Sequence, residues 1–299
     1  KDKVKAEGAL AFYTTETGET GIIRKGKKHF LLDVFDTGLN KVFSKVVDSD
    51  KKESFKGYVN YKNQIQFFTV YSPKKKERIV YCHTFNIKNK TYTKTKLFEK
   101  TVEKGRGLFS GSNKRQTSVA ISPNGKYLAM ATDNIKKHSN SYLIHVYNSE
   151  SLELIYEKSY QEHEEKYFEP NDLAIDDNAN VYTLGKLFLK GRSQKKKGEA
   201  NYEFVINKVS KDANIDTAIS LKDLHIASLV INANSDKLQL LGFYSEERAG
   251  RIKGGCNFVL DRETLAVTKQ NVVKLPVKVY EDLYGYRRAN KKKKKELKS

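Results

Sequence analysis

Two hydrophobic–polar patterns alternate along the chain. The first is a short apolar run, a polar turn and a second apolar run. It reads GYVNYKNQIQFFTVY at 57–71, SVAISPNGKYLAMATD at 118–133, DLAIDDNANVYTLGK at 172–186 and SLVINANSDKLQLLGFY at 228–244. Aligning Val59, Ala120, Ala174 and Val230 gives steps of 61, 54 and 56 residues. The second pattern is a longer hairpin, as in HFLLDVFDTGLNKVFSKVV at 29–47, IVYCHTFNIKNKTYTKTKLFE at 79–99, YLIHVYNSESLELIYEKSY at 142–160, FVINKVSKDANIDTAISL at 204–221 and NFVLDRETLAVTKQNVVKL at 257–275. Each turn carries Asp, Asn, Ser, Gly or Lys between apolar runs, the mark of a hairpin. The opening stretch ALAFYTTETGETGIIRKG at 9–26 supplies the first member of the first pattern.

The unit is therefore four strands in about 55–60 residues, repeated five times. A recurrence of this kind predicts a β-propeller, each unit being one antiparallel blade stacked on its neighbours. The fold class is all-β, with five four-stranded blades over about 9–50, 54–100, 116–160, 170–222 and 226–275. Residues 276–299 are then a basic C-terminal tail or the start of a further element, so that five blades are a full set or part of six or more. The first two strands of each unit are short and nearly continuously apolar, which predicts inner strands buried on both faces. The fourth is mixed: TYTKTKLFE at 91–99 puts Lys94 and Lys96 on one face, and lysines on an outer strand discourage edge-to-edge pairing. A β-sandwich or two small β-domains would also supply many short strands, but not so long a recurring period. Length alone gives a prior of two domains.

SPNGKYLAMATD resembles the strand turn of bacterial propeller repeats, and PNDLAIDDNANVYTLGK resembles a second turn of that superfamily. GGCNFVLDRETLAVTKQ with the Lys-rich stretch after it is similar to exported bacterial propeller-like proteins. The unit is longer than the roughly 40–45 residues of WD repeats and lacks their Gly-His and Trp-Asp dipeptides. This resemblance implies a fold and leaves the function open. Pro170-Asn171-Asp172 also resembles the motif of gluconolactonase-type propellers, in which the Asn is a ligand to a central divalent cation. That resemblance implies an alternative reading: a metal-dependent hydrolase holding calcium through Asn171, with Asp172 beside it.

Charge changes the picture most. The 299 residues carry 56 Lys+Arg against 36 Asp+Glu, a formal net charge of +20. The loops between the second and third strands are RKGKK at 24–28, SPKKKER at 72–78, NIKKHSNS at 134–141, LFLKGRSQKKKGEAN at 187–201 and SEERAGRIKGGC at 245–256. In these five loops Lys+Arg outnumber Asp+Glu by 14, and from Arg287 to Ser299 by 7, which leaves the rest of the chain near neutral. A propeller would gather the five loops onto one rim and raise the potential there, attracting anions with a strength that falls as salt rises. The candidate polyanion-binding residues are Lys74, Lys75, Lys76, Arg78, Lys190, Arg192, Lys195, Lys196, Lys197, Arg248, Arg251 and Lys253. The partners this chemistry fits are anionic glycans, an anionic surface such as lipid headgroups, or an acidic protein; nucleic acid is a further alternative. Lys outnumbers Arg in these loops and few aromatics accompany them, so bidentate or base-stacking recognition is not prominent. Lys-rich hairpin tips are also ordinary soluble surface.

Signals for catalysis are sparse. QEHEEKYFEPND at 161–172 lacks the HExxH spacing, and there is no GxSxG elbow, GxGxxG or P-loop. The glycine-rich run GRGLFSGSNKR at 105–115 reads as an entry into the third blade. His83 and His145 sit in apolar strand patterns and read as satisfied strand histidines. Two cysteines, Cys82 and Cys256, exclude a disulfide-rich scaffold and a Cys-only zinc site. No apolar stretch approaches the roughly 18 residues of a membrane span. The chain starts at Lys1 and has Met130 as its one methionine, which reads as a processed or truncated form: an exported, periplasmic or extracellular protein whose signal peptide has gone is the expectation, and an excised piece of a longer chain is the alternative. The expectation is a non-catalytic binding or scaffolding propeller without a cofactor.

Overall fold

In a computed structural model, twenty strands among the described residues form five antiparallel four-stranded sheets, each in simple sequential order. The chain is a five-bladed β-propeller. The structure describes residues 8–74, 77–101, 118–133, 141–161, 166–191, 202–233, 237–248, 250–276, 278–279 and 282. Blade 1 holds β1 (Ala9–Thr14), β2 (Thr20–Lys25), β3 (His29–Phe35) and β4 (Lys41–Asp48). Blade 2 holds β5 (Glu53–Tyr61), β6 (Gln64–Tyr71), β7 (Glu77–Asn86) and β8 (Thr91–Thr101). Blade 3 holds β9 (Ser118–Ile121), β10 (Tyr127–Asp133), β11 (Ser141–Asn148) and β12 (Leu154–Gln161). Blade 4 holds β13 (Tyr167–Ile175), β14 (Val181–Phe188), β15 (Glu203–Val209) and β16 (Asn214–Ile219). Blade 5 holds β17 (His225–Ala233), β18 (Leu238–Ser245), β19 (Gly254–Leu260) and β20 (Val267–Lys274).

The core lies between blades rather than within one. Ile23, Phe30 and Leu32 of blade 1 pack on Ile65, Phe67 and Phe85 of blade 2. Phe68 and Cys82 then meet Leu128 and Met130 of blade 3. Ile144 and Val146 meet Phe168 and Val181 of blade 4, and Leu184 and Ile206 meet Leu240 and Phe258 of blade 5. Each fully buried side chain of this size stabilises the fold by about 1.5–3 kcal/mol.

This arrangement corrects one sequence expectation. The second and third strands, not the first and second, are the buried pair: β6 and β14 are buried almost end to end, as are β3 and β15. The middle strands of a sheet are covered by blades on both sides. The first strands sit at one edge of the sheet, and β1 and β17 are only partly buried. The fourth strands are mostly exposed, as their mixed patterns predict.

Turn chemistry recurs with the blades. Asn148 Oδ1 accepts the backbone N–H of Glu150 and Ser151, and Asp261 Oδ1 those of Glu263 and Thr264. Leu152 and Leu265 follow with φ of 59° and 58°. Leu265 is fully buried, so packing offsets the strain of a left-handed leucine. Four of the five first strands carry a register shift against their second strand, in the rungs after Ala9, Phe55, Pro170 and Ile226. Such bulges increase local twist. At two of them a glycine faces the irregularity. A Cβ on Gly185 would lie 2.4 Å from the Glu169 carbonyl, and one on Gly242 1.9 Å from that of Ser228.

Candidate polyanion-binding face

The connections of the sheets emerge at two opposite edges. One edge carries the turns joining strands one to two and three to four. Contacts tie these turns together from blade to blade: Tyr61 donates to Glu150, Asn124 N to Asp177, Tyr156 to the Ala179 carbonyl, and Arg262 lies 3.5 Å from Asp176. The other edge carries the loops joining strands two to three and the links between blades. There Lys25 Nζ reaches the Glu53 carbonyl, Lys52 Nζ the Pro73 carbonyl, and His225 meets Tyr202.

The two edges differ in charge. Counted along the sequence strictly between strands, the connections that start from the loop edge hold 23 Lys+Arg and 9 Asp+Glu, an excess of 14 positive charges, of which 11 Lys+Arg and 4 Asp+Glu lie among the described residues. The turns on the opposite edge hold 7 Lys+Arg and 11 Asp+Glu, an excess of 4 negative charges. Strand direction sends alternate connections of an antiparallel sheet to opposite edges, and the sequence puts its lysines in one set and more of its carboxylates in the other.

The candidate residues fall on the loop edge as follows. Lys74, Lys190, Arg248 and Arg251 are exposed. Lys74 is ion-paired with Glu77 at 2.8 Å, and Lys253 with Glu246 at 3.3 Å. Arg78 is half-buried and donates to the Glu77 carbonyl. Burial lowers its pKa from the ordinary arginine value. Lys75, Lys76, Arg192, Lys195, Lys196 and Lys197 lie outside the described residues, as do the run 105–115, His163 and most of the tail beyond Pro276. Lys27, Lys28, Lys51 and Lys52, exposed on the same edge, belong to the set as well. Lys51 and Lys52 were missed because they sit in a link between blades.

A cleft of about 380 Å³ opens on this edge between blades 4 and 5, lined by Tyr202, Phe204, Leu221, His225, Glu246 and Arg248. Lys186 Nζ lies 4.2 Å from the Tyr202 ring centroid, a cation–π contact. Burial, with Arg248 and Lys186 nearby, lowers the His225 pKa, so the ring is neutral near pH 7. Its Nε2 lies 3.2 Å from the Tyr202 hydroxyl. No sequence pattern marks this cleft. Its walls come from the starts of β15 and β17, the end of β16 with the link after it, and the loop after β18, and only blade stacking brings them together.

Asn171 and Asp172, the alternative metal residues, are committed elsewhere. Asn171 Nδ2 donates to the Leu229 carbonyl at 2.7 Å, and Asp172 Oδ2 accepts Ile231 N–H at 2.7 Å. They strap β13 to β17. Among the described residues no three His, Cys, Asp or Glu side chains converge as a metal site would require.

The buried histidines sit in networks of their own: the polar partners of His83 lie within blade 2, and Phe30 of blade 1 meets its ring edge-on at 5.6 Å. His83 is fully buried and stacks on Phe67 at 4.3 Å. Thr69 donates to Glu53 at 2.6 Å, His83 Nε2 lies 2.8 Å from Thr69 and 3.2 Å from Glu53, and Nδ1 lies 2.8 Å from the Tyr92 hydroxyl. Lys94 completes the group at 2.9 Å from Glu53. Desolvation alone would raise the Glu53 pKa. The hydrogen bonds from His83, Thr69 and Lys94 outweigh it and hold the carboxyl at about 2. Desolvation lowers His83, leaving it neutral. His145 repeats the position in blade 3, stacked on Phe98 at 3.9 Å and 3.0 Å from Glu157. Cys82 and Cys256 are free, buried thiols, with pKa values pushed up by desolvation to about 12 and about 11.

No family model and no curated protein sequence matches the chain. Solved structures do. A prolyl endopeptidase superposes with a TM-score of 0.48 at 11% identity, over 90% of this chain and 34% of that one. Prolyl oligopeptidase B from Galerina marginata gives 0.44 at 10%, over 88% and 35%. TolB from Acinetobacter baumannii gives 0.37 at 12%, over 82% and 49%. The chain thus spans about a third of the two peptidases and half of TolB. These neighbours are large β-propeller-like proteins, and a likeness at this level carries no activity with it. Among the described residues no helix is long and apolar enough to cross a membrane.

Proposed function

We propose that this chain is a non-catalytic binding and scaffolding propeller whose loop edge contacts an anionic partner. The observation that carries the reading is the division of charge between the two edges, +14 against −4. Clustered lysines make a field that attracts polyanions without demanding one geometry. The match is to an anionic glycan or an anionic surface met by an exported protein. The cleft between blades 4 and 5 gives that edge one concave feature, with Arg248 in its wall. The enzymatic alternative has less support, since Asn171 and Asp172 spend their side chains on the backbone of blade 5.

Retention on immobilised heparin and on DNA tests the proposal. Binding to heparin at low salt, released as sodium chloride rises, is expected; flow-through at low salt overturns it. Retention on DNA at equal ionic strength but not on heparin would favour a nucleic-acid partner instead.

A further inference from the structure

Blades 2, 3 and 4 each bury one face against the blade before and the other against the blade after. One rung of the forward face can be followed through the molecule. Ile23 pairs with Leu32 in blade 1, Phe68 with Cys82 in blade 2, and Leu184 with Ile206 in blade 4. All six side chains are 0% exposed. In blade 5 the same rung is Leu241 with Asn257, flanked by Val230 and Phe243. Here Leu241 is 39%, Phe243 44% and Val230 50% exposed. Val273, beside Gly255 on the same face, is also exposed. Asn257 Oδ1 is buried in this face with no hydrogen-bond partner.

Blade 1 presents the opposite half. Its backward face carries Phe12, Ile22, Leu31 and Val46 around Asp33. Phe12 is 61% and Val46 47% exposed. Asp33 occupies the position that His83 and His145 hold in blades 2 and 3, where the rings meet Phe30 and Phe98 of the preceding blades. Asp33 is buried, pairs with Arg24 and accepts from Ser44 at 2.7 Å. Among the described residues, apolar clusters join blades 1–2, 2–3, 3–4 and 4–5, and none joins blade 5 to blade 1.

We propose that copies of this chain dock head to tail, the forward face of blade 5 on one copy against the backward face of blade 1 on the next. The contact would continue an interface the molecule already makes four times, between the same two kinds of face. Four contiguous exposed apolar residues on blade 5 form the kind of patch that marks association. The polar groups also match: Asn257 lacks a donor, and Arg24 and Lys41 stand as donors around Asp33. A contact between two different faces is heterologous, so each copy keeps one free half. The proposal does not depend on what the loop edge binds. It does place the loop edges of neighbouring copies side by side, extending the basic surface.

Sedimentation velocity over a range of concentrations, on the chain as it stands, tests this. Mass rising from one chain to two or more is expected. Leu241→Asp and Val46→Asp, both at exposed positions, should each weaken self-association at least tenfold while leaving thermal unfolding unchanged. Mixing the two variants restores one intact contact, blade 5 of the Val46→Asp chain on blade 1 of the Leu241→Asp chain, and should return dimers but nothing larger. A monomer at every concentration overturns the proposal, as a ring closed within one chain would give. So does association that ignores either variant, or a mixture that stays monomeric.

Discussion

Glu53 shows how a buried charge is tolerated between two blades. It is 3% exposed, and a carboxylate in that position is costly unless its oxygens are satisfied. Thr69, His83 and Lys94 satisfy them and hold the pKa at about 2, against an ordinary 4.5. The sign of the linkage follows. A carboxyl depressed in the folded state contributes stability above pH 4.5 and loses it as pH falls from 4.5 towards 2. His83, depressed from 6.5 by burial, acts in the same direction. The unfolded chain takes up a proton there below pH 6.5 that the folded chain resists. Stability should therefore decline on acidification in two stages. Glu53→Gln removes the lower stage and leaves Lys94 without its anion. An expected loss of about 3–5 kcal/mol at pH 7 is measurable by urea unfolding, with a flatter dependence between pH 5 and 3. A variant as stable as the parent at pH 7, with the same acid limb, would show that the network contributes nothing.

At the scale of elements, the straps between first strands are what the sequence concealed. Asp172→Ala leaves Ile231 N–H unpaired and should cost about 1–3 kcal/mol. A lower thermal midpoint checks it; an unchanged midpoint would mean that β13 and β17 do not need the bond. Much of the fold was legible because a blade is a local object. Its hairpins are sequential, its turns carry Asn or Asp at fixed places, and the period repeats. The depth of each strand was not legible. The apolar runs of β1 and β17 look like those of β6 and β14, yet only neighbouring blades decide which runs are covered. The straps made by the motif at 170–172 were hidden for a related reason. Asn and Asp at a strand position can bind a cation or an adjacent backbone, and blade stacking selects the second. The cleft at Tyr202 and His225 was invisible because its walls belong to different blades.

For the whole molecule, the net charge of +20 is unevenly divided: the connections of the loop edge carry an excess of 14 positive charges, those of the turn edge an excess of 4 negative ones, and residues 287–299 an excess of 7 positive ones. Loop lysines leave from one edge because strand direction alternates, and the acidic turns leave from the other. The charged loops themselves were readable from sequence; their counterpart on the turn edge emerged only once every connection had an edge. Exposed like charges on one edge repel each other and are screened over about 8 Å at physiological salt, so a polyanion would relieve that repulsion on binding. The direct test compares two variants of equal charge change in a salt-dependent heparin titration. One replaces Lys27, Lys28, Lys190 and Arg251 on the loop edge with Gln. The other replaces Lys88, Lys90, Lys126 and Lys211 on the turn edge. The expected result is at least a tenfold loss of affinity and a shallower salt dependence for the loop-edge variant, with the turn-edge variant within about twofold of the parent. Equal losses from both variants would contradict a binding face and reduce the charge to a property of the surface as a whole.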